Sequence, residues 1–342
     1  MLLTVTIPTY NRNEPLLATL ERLLPQLERE AARVRLLVID NASPTPAEET
    51  LAPLLARFPG VKVEVRRNRA NIGANANILR CFELCETPYL WTLSDDDEVK
   101  PDALETIFSH IEAYPDCVFF NFGVEHSMPR SQTWLTRGEL DFVKRMDNFG
   151  NTIFISSNVY RGDALLGSLK FAHHYTYAAV PQFVMVLKSL DENSVCCFSH
   201  KPVVALGVPG VEGQWSRVLL ALGVRTLLEL PMSPPVRLEL SRHLEAFEDN
   251  FMPAREILLQ LLQTAISSRD WHGALYFFDQ IRHRRYGGAF YSNRHLRPRI
   301  DTFLIRALIL RPRLALRFIQ WNYKLKRLSV HREDLRPFSD RL

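Results

Sequence analysis

Apolar runs of strand length alternate with amphipathic stretches of helical length over the first 125 residues. Such alternation is typical of a parallel β-sheet that is covered by helices. The strands are predicted at residues 2–7, 35–39, 61–65, 89–93 and 117–122. The helices between them are predicted at residues 15–30, 46–58, 74–84 and 102–114. Because parallel strands end at one edge of the sheet, the loops that follow them are expected to gather there.

The pattern changes after residue 125. We expect a strand at residues 152–156 and a helix at residues 178–190. Residues 207–213 contain three glycines and a proline, which predicts a mobile loop or an interdomain linker. Beyond this loop the pattern is helical.

Composition excludes several classes of protein. The chain has 342 residues, of which 46% are hydrophobic and 23% are charged, so it can bury a core and is neither disordered nor fibrous. It lacks the uninterrupted apolar run of about eighteen residues that a transmembrane helix needs. No secretory leader is visible at the start of the sequence, so a cytoplasmic location is expected. The five cysteines have no metal-binding spacing and are predicted to be buried thiols.

Charge is distributed unevenly along the chain. Residues 282–342 contain 16 Lys or Arg and 4 Asp or Glu, a net charge of +12, whereas the remaining residues sum to −8. Within residues 303–328 five basic side chains share one face of a predicted helix that is broken near Pro312, with Trp321 and Tyr323 as interfacial anchors; the five are Arg306, Arg313, Arg317, Lys324 and Arg327. This pattern predicts a surface helix that lies on an anionic membrane. The alternative is a helix whose apolar face packs on its own domain, and nucleic acid is disfavoured as a partner.

Polar side chains follow the first two predicted strands. The first strand continues into Pro8, Thr9, Tyr10 and Arg12, which offer a hydroxyl group, an aromatic face and a cation to a nucleotide. The second strand ends in Asp40 and Asn41, where a carboxylate can accept hydrogen bonds from a ribose or a base edge. The alternatives are an ordinary strand-to-helix turn at the first position and helix capping at the second.

An asparagine-rich turn follows the third strand and precedes a helix. It contains Asn68, Asn71, Gly73 and Asn77, with arginines nearby. A helix N-terminus favours anions, so the turn is predicted to support a nucleotide diphosphate. Plain helix capping is the alternative. The absence of a GxGxxG motif disfavours a nicotinamide dinucleotide fold.

Four consecutive acids, Asp95, Asp96, Asp97 and Glu98, follow the fourth strand. Adjacent carboxylates repel each other unless a cation or several donors compensate. Mg²⁺ and Mn²⁺ prefer such oxygen ligands and share them with substrate phosphates. A metal or ribose site is predicted here, with a solvated acidic turn as the alternative.

Together, the motifs TIPTYNR, VIDNAS, RNRANIGANAN and LSDDDEVKP resemble the family-2 glycosyltransferases of the GT-A fold over residues 3–125. They are most similar to abequosyltransferase-like bacterial members that act in surface-polysaccharide synthesis. The resemblance implies an α/β fold with a mostly parallel sheet flanked by helices. It divides the chain into a GT-A domain at residues 1–206 and a helical, basic region at residues 207–342. Within the domain, residues 1–125 would bind the nucleotide sugar and residues 126–206 would face the acceptor.

The resemblance also implies roles for individual residues. The nucleoside would be held by Thr9, Tyr10 and Asp40, the donor pocket would be shaped by Asn71, Gly73 and Asn77, and Asp95 and Asp96 would face the ribose and a divalent Mn²⁺ or Mg²⁺ ion. The family's usual first aspartate is replaced by Ser94, which passes the ribose contact to Asp95.

The catalytic base of the family is missing from its usual place. Many members carry an acidic pair near the start of the helix after the acceptor-side loop, but residues 171–179 contain no acid. The nearest titratable groups are His173 and His174, which we take as candidate bases. Asp163 and Asp191 are more distant alternatives.

The resemblance thus predicts inverting, metal-dependent transfer of a sugar from a nucleotide diphosphate sugar to a glycan or lipid-linked glycan, at the cytoplasmic face of a bacterial inner membrane. Two other functions stay open at this point. A sugar-phosphate nucleotidyltransferase would usually have a glycine-rich, basic first loop, which this sequence lacks. A non-catalytic module that binds glycan or a partner protein is the other.

Overall fold

Strands and helices alternate through most of the chain, as a computed structural model shows for residues 1–125, 128–206, 220 and 223–251. Of these described residues, 1–206 and 231–243 belong to one compact unit, and 220, 223–230 and 244–251 belong to a second.

The first unit contains a mixed β-sheet. Its strands within the described residues are β1 (Leu3–Thr9), β2 (Val34–Asp40), β3 (Val63–Arg67), β4 (Tyr89–Thr92), β5 (Glu98–Val99), β6 (Cys117–Glu125), β7 (Trp134–Arg137), β8 (Asn158–Arg161) and β9 (Val195–Ala205). Their order is β3-β2-β1-β4-β8-β6-β9-β5, and β7 pairs with β9 outside this path. Strands β1 to β4 are parallel to one another, whereas β8 runs antiparallel to both of its neighbours, β4 and β6.

Helices connect the strands. The α-helices of the described residues are α1 (Asn13–Arg29), α2 (Ala47–Leu55), α3 (Ala74–Glu83), α4 (Ala103–Ala113), α5 (Gly138–Arg145), α6 (Phe149–Ile153), α7 (Gly162–Leu165), α8 (Leu169–His174), α9 (Pro181–Ser189) and α10 (Pro234–Phe251). Short 3-10 turns lie at Ile155–Ser157, Leu166–Ser168, Thr176–Ala178 and Thr226–Glu229.

Both faces of the sheet are covered, because successive side chains of a strand point to opposite faces. Leu36 and Val38 of β2 belong to the large core that also contains the buried side chains of α1, α2 and α4. Leu37 and Ile39 of the same strand instead pack with Cys81 of α3. The predicted α/β architecture, a mostly parallel sheet flanked by helices, is confirmed.

The strands and helices predicted for the first 125 residues are confirmed, with their ends displaced by a few residues. Cys81, Cys117, Cys196 and Cys197 are buried free thiols, as predicted, whereas Cys85 is only partly buried. Burial raises the pKa of the Cys81 thiol to about 12, so this thiol stays protonated.

The strand predicted at residues 152–156 is wrong. These residues lie in the end of α6 and in the 3-10 turn Ile155–Ser157, and the strand begins only at Asn158. The backbone carbonyls of residues 151–156 all accept hydrogen bonds from side chains, among them those of Trp91, Thr92, Asn158 and Gln182. Side chains thus occupy the acceptors that a strand would offer to its neighbour.

The helix predicted at residues 178–190 begins later than expected. Ala179 adopts a left-handed conformation with a φ of 64°, and α9 starts at Pro181. Proline is favoured in the first turn of a helix because its missing N–H has no intrahelical partner there.

The second unit contains a buried ion pair. Arg225 donates to both carboxylate oxygens of Glu248 at 2.7 and 2.8 Å, and both residues are almost fully buried. The predicted loop at residues 207–213 and the basic helix at residues 303–328 lie outside the described residues. Within the described part of the chain, no helix combines the length and the hydropathy that crossing a bilayer requires.

Candidate functional site

The carboxyl ends of β1, β2 and β4 meet at one edge of the sheet, as predicted. Thr9 and Asp40 are register partners at the ends of β1 and β2. The hydroxyl group of Thr9 donates to Asp95 Oδ2 at 2.7 Å, immediately beyond β4. The parallel register therefore brings the first and fourth sequence motifs into direct contact.

Residues 94–98, which we call the acid turn, are held mostly by side chains from elsewhere in the fold. Arg12 contacts Asp95 Oδ1 through Nε at 3.4 Å and Asp96 Oδ2 through Nη2. The hydroxyl group of Ser94 donates to Asp96 Oδ1 at 2.6 Å. The turn thus has an internal cation, which offsets the repulsion between adjacent carboxylates.

The two aspartates differ in exposure. The side chain of Asp95 is 5% exposed and that of Asp96 is 24% exposed. Burial raises the pKa of Asp95 to about 6, although the charge of Arg12 and the hydrogen bond from Thr9 act in the opposite direction. Of the two, Asp96 is the carboxylate that a ligand reaches from solvent.

Ser156 supports the acid turn from behind. Its hydroxyl group accepts a hydrogen bond from the backbone N–H of Ser94 at 2.8 Å and donates to Asp97 Oδ2. Ser156 itself is fully buried, and its backbone carbonyl accepts from the indole N–H of Trp91 at 2.9 Å. The 3-10 turn at Ile155–Ser157 therefore sets the path of the acid turn.

Asparagine side chains link the turn after β3 to the end of β2. Asn41 accepts at Oδ1 from Asn68 Nδ2 at 2.9 Å and donates to Asn71 Oδ1 at 2.8 Å. Asn68 also donates to Asn77 Oδ1 at 2.8 Å, and Asn77 donates to the carbonyl of Ile39 at 3.1 Å. We call these four asparagines the asparagine cluster. It holds the two connections in one fixed arrangement.

Asp40 is buried beneath this arrangement. It accepts hydrogen bonds from the backbone N–H groups of Ser43 at 2.8 Å and Ala47 at 3.2 Å, and from Arg67 at 2.6 Å. Burial by itself would raise the pKa of Asp40, but these hydrogen bonds lower it below its usual value. Asp40 caps the start of α2 in this structure, and its contact with a nucleoside stays a prediction.

The N-terminus of α3 follows Gly73, whose φ of 85° suits a residue without a Cβ atom. Asn75 in the first turn of α3 donates to the carbonyl of Thr176 at 2.8 Å. The helix start, with its partial positive charge, thus lies against the segment at residues 173–178.

His173 and His174 end α8 and are both exposed. The ring of His174 packs edge-on against Tyr175 at 5.2 Å, and Tyr175 stacks on Tyr177, whose side chain is exposed. Tyr10 is also exposed, at the end of β1, while Pro8 lies half-buried within that strand.

The carboxylate ligands of the acid turn suit a metal ion that also binds oxygens of a substrate. Among the described residues no three His, Cys, Asp or Glu side chains are grouped as a protein-only cage. Mg²⁺ and Mn²⁺ usually take one or two carboxylates and complete their shell with substrate phosphates and water. Asp96 fits this role, because its carboxylate is partly exposed and lies at the edge where the strands end.

Sequence reasoning missed three supporting residues, Ser43, Arg67 and Ser156. Ser43 accepts from the backbone N–H of Asn11 at 2.8 Å, and Arg67 pairs with Asp40. Ser43 and Arg67 lie inside the motifs VIDNAS and RNRANIGANAN, whereas nothing in the sequence relates Ser156 to a turn about sixty residues earlier.

Comparisons with known proteins agree with this geometry. Residues 4–166 match the model of the family described as "Glycosyl transferase family 2". The chain is 29% identical over 116 residues to abequosyltransferase RfbV of Salmonella typhimurium, which is 34% of each chain. It is 31% identical over 112 residues to an uncharacterised protein of Mycobacterium tuberculosis, which is 32% of this chain and 33% of the other. The match spans about a third of the length of these curated relatives.

The fold is similar to that of S. aureus TarS. The crystal structure of TarS residues 1–349 in complex with UDP-GlcNAc superposes with a TM-score of 0.56 at 13% identity, over 83% of this chain and 90% of that one. At this identity the likeness shows the fold alone, and the predicted GT-A-type fold is confirmed. The family model matches residues 4–166, and this part of the chain includes the acid turn and the asparagine cluster.

Proposed function

We propose that the chain transfers a sugar from a nucleotide diphosphate sugar to a hydroxyl group of a glycan or lipid-linked glycan, in the synthesis of a bacterial surface polysaccharide. The observation that carries this proposal is the acid turn, which lies at the carboxyl ends of parallel strands within the residues matched by the family model. The abequosyltransferase relative and the UDP-GlcNAc complex of TarS support the substrate class.

The nucleotide half of the donor would lie across the ends of β1 and β2. The exposed ring of Tyr10 offers a stacking surface for a base. Asn41 is fixed by Asn68 and Asn71, so the backbone around it presents its polar groups without rearrangement. Preorganisation of this kind reduces the entropy lost on binding.

The diphosphate would lie between the acid turn and the start of α3. Free N–H groups at a helix start favour an anion, and Gly73 leaves space for it because no atom lies within 4 Å of a Cβ placed there. A divalent metal held by Asp96 would neutralise charge on the departing diphosphate when bound. Asp95, buried behind it, would position Arg12, and its contact with a ribose stays a prediction.

The acceptor would approach from the segment at residues 171–179. His173 and His174 are exposed there, and an imidazole nitrogen of either can accept the proton of the attacking hydroxyl group. Attack in line with the leaving diphosphate would invert the anomeric carbon. The hydrogen bond from Asn75 to Thr176 holds this segment beside the donor side of the site.

The basic residues at 303–328 would keep the enzyme at the cytoplasmic face of an anionic membrane, where a lipid-linked acceptor is found. This part of the proposal rests on the sequence, in which residues 282–342 carry a net charge of +12.

Thermal-shift measurements test the donor class. UDP, GDP, CDP and dTDP are added to the full chain with and without Mn²⁺. A ligand that binds only the folded state raises the melting temperature, so we expect one nucleotide to raise it in a metal-dependent way. If none of the four nucleotides changes the melting temperature, the proposal is wrong.

Asp96→Asn tests catalysis directly with the nucleotide sugar identified in that screen. We expect sugar release or transfer to fall by at least about a hundredfold while the melting temperature stays close to that of the unchanged protein. Glu98→Gln is the matched control, because Glu98 belongs to the same turn but is exposed. Equal activity in the Asp96→Asn and unchanged proteins would contradict the role of Asp96.

A further inference from the structure

The backbone on both sides of Arg12 is held by hydrogen bonds, and this fixes the direction in which the side chain of Arg12 leaves the chain. Asn11, just before Arg12, has a left-handed φ of 53°, and its N–H is held by Ser43 Oγ at 2.8 Å. The carbonyl of Arg12 accepts from the N–H of Leu16 at 3.1 Å and so begins α1. With both flanks of the backbone held, the side chain of Arg12 is only 13% exposed. Its guanidinium group is therefore directed into the acid turn and away from bulk solvent.

All four oxygens of Asp95 and Asp96 have donors. Arg12 contacts one oxygen of each carboxylate, Thr9 donates to the other oxygen of Asp95, and Ser94 donates to the other oxygen of Asp96. A metal ion that approached Asp96 would be repelled by the positive charge of Arg12, which already pairs with this carboxylate. The free enzyme thus has its own cation where a metal ion would bind.

A diphosphate changes this balance. The planar guanidinium group of an arginine pairs well with phosphate oxygens, in a bidentate geometry. A nucleotide diphosphate bound at this edge of the sheet would offer Arg12 a new partner and would add its own oxygens as metal ligands.

We propose that Arg12 is the resident counter-cation of the acid turn and that it withholds Asp96 from divalent metal ions until a nucleotide diphosphate binds. This inference rests on the proposed function, because it assigns Asp96 to a metal. Metal binding then depends on the nucleotide, and Arg12 acts as a positioning residue that sets this order.

Titration of the full chain with Mn²⁺ alone, without nucleotide or sugar, tests the proposal, with free Mn²⁺ followed by electron paramagnetic resonance. We expect weak binding to the unchanged protein and a dissociation constant that is at least about tenfold lower for Arg12→Gln, which removes the charge but keeps a polar side chain. Adding Asp96→Asn to Arg12→Gln should abolish the gain. Arg12→Lys, which retains the charge, should bind Mn²⁺ as weakly as the unchanged protein.

Arg22→Gln is the matched control. Arg22 faces Glu98 of the same turn at 3.5 Å, with both side chains half-exposed, so this variant removes the same charge from the same neighbourhood. Equal Mn²⁺ affinities of Arg12→Gln and the unchanged protein would overturn the proposal, and so would an equal gain in Arg22→Gln. If Arg12→Gln melts without cooperativity in metal-free buffer, Mn²⁺ should restore its cooperative melting, and failure to do so also overturns the proposal.

The outcome is separable from that of the proposed function. Because no nucleotide is present, Arg12→Gln can fail to gain Mn²⁺ affinity in a protein that still transfers a sugar. Conversely, a gain that requires Asp96 would show that Arg12 competes with a metal ion for Asp96 even if none of the four nucleotides bound and the proposed function failed.

Discussion

At the scale of single residues, Asp40 shows how a buried carboxylate can stay charged. It is 1% exposed, yet two backbone N–H groups and the guanidinium group of Arg67 donate to it. Those donors lower its pKa against the effect of burial. Asp40 therefore ties together the end of β2, the start of α2 and β3.

Replacing Asp40 by Asn is expected to destabilise the fold by about 3 kcal/mol near neutral pH, since it leaves buried donors without a charged acceptor. A carboxylate with a lowered pKa in the folded state contributes stability above its unfolded pKa and loses it as the pH falls through its folded pKa. The difference between the two proteins should therefore shrink below about pH 4. Urea unfolding at several pH values measures it.

Asp163→Asn is the control for the Asp40 experiment, because it removes a carboxylate from an exposed ion pair with Arg161. We expect it to cost less than about 1 kcal/mol. A stability difference for Asp40→Asn that stayed constant from pH 6 to pH 3 would contradict the assigned role of the charge.

The sequence predicted which residues lie at the site, but it did not predict which of their side chains contact each other. It predicted that Thr9, Arg12 and the acids would lie at one edge, because parallel strands place their ends together. It did not predict that Arg12 would span Asp95 and Asp96, since the direction of a long side chain depends on packing between elements that are about eighty residues apart. Whether His173 or His174 acts as a base stays a prediction.

At the scale of elements, the segment at residues 149–157 shows why the strand predicted at residues 152–156 is wrong. Its short apolar run, Ile153 to Ile155, is typical of a strand, but neighbouring Asn, Ser and Gln side chains donate hydrogen bonds to its carbonyls. The strand predictions for the first 125 residues succeeded because apolar residues either alternate with polar ones, as in β1, or run together, as in β4, between turns. Strand β5 has only two residues, which is too short to leave such a pattern.

Ser156→Ala is expected to lower stability by about 2 kcal/mol, because it deprives both Asp97 and the N–H of Ser94 of a buried partner. It should also raise the KM for the donor more than it lowers kcat, since the acid turn would lose its fixed position. Thermal melting and donor titrations measure these two effects.

Ser189→Ala provides the comparison for Ser156→Ala, because the hydroxyl group of Ser189 donates to the carbonyl of Val186 within its own helix. We expect a change of less than about 1 kcal/mol and an unchanged KM. Equal effects of the two substitutions would show that the 3-10 turn does not position the acid turn.

At the scale of the whole molecule, charge is separated along the chain. Residues 282–342 carry +12 and the rest −8, and the basic part lies outside the described residues. We expect the full chain to sediment with vesicles that contain phosphatidylserine but not with vesicles of phosphatidylcholine alone, and to be released by salt.

Charge reversal at Arg313 and Arg317 should weaken vesicle binding at least about tenfold, because each basic residue near an anionic surface contributes about 1 kcal/mol. Reversal at the exposed residues Arg57 and Arg242 alters the net charge equally and serves as the control. If both double variants bind vesicles equally, a dedicated membrane-binding segment is excluded.

The position of β8 limits how this protein can be divided. Residues 158–161 insert between β4 and β6, and Ser156, just before them, braces the acid turn. A fragment that ended at residue 125 would keep every donor-side motif but would expose unpaired edges on two central strands. The donor half is therefore not an excisable module, and any hybrid with a relative has to exchange residues 149–161 along with the strands that flank them.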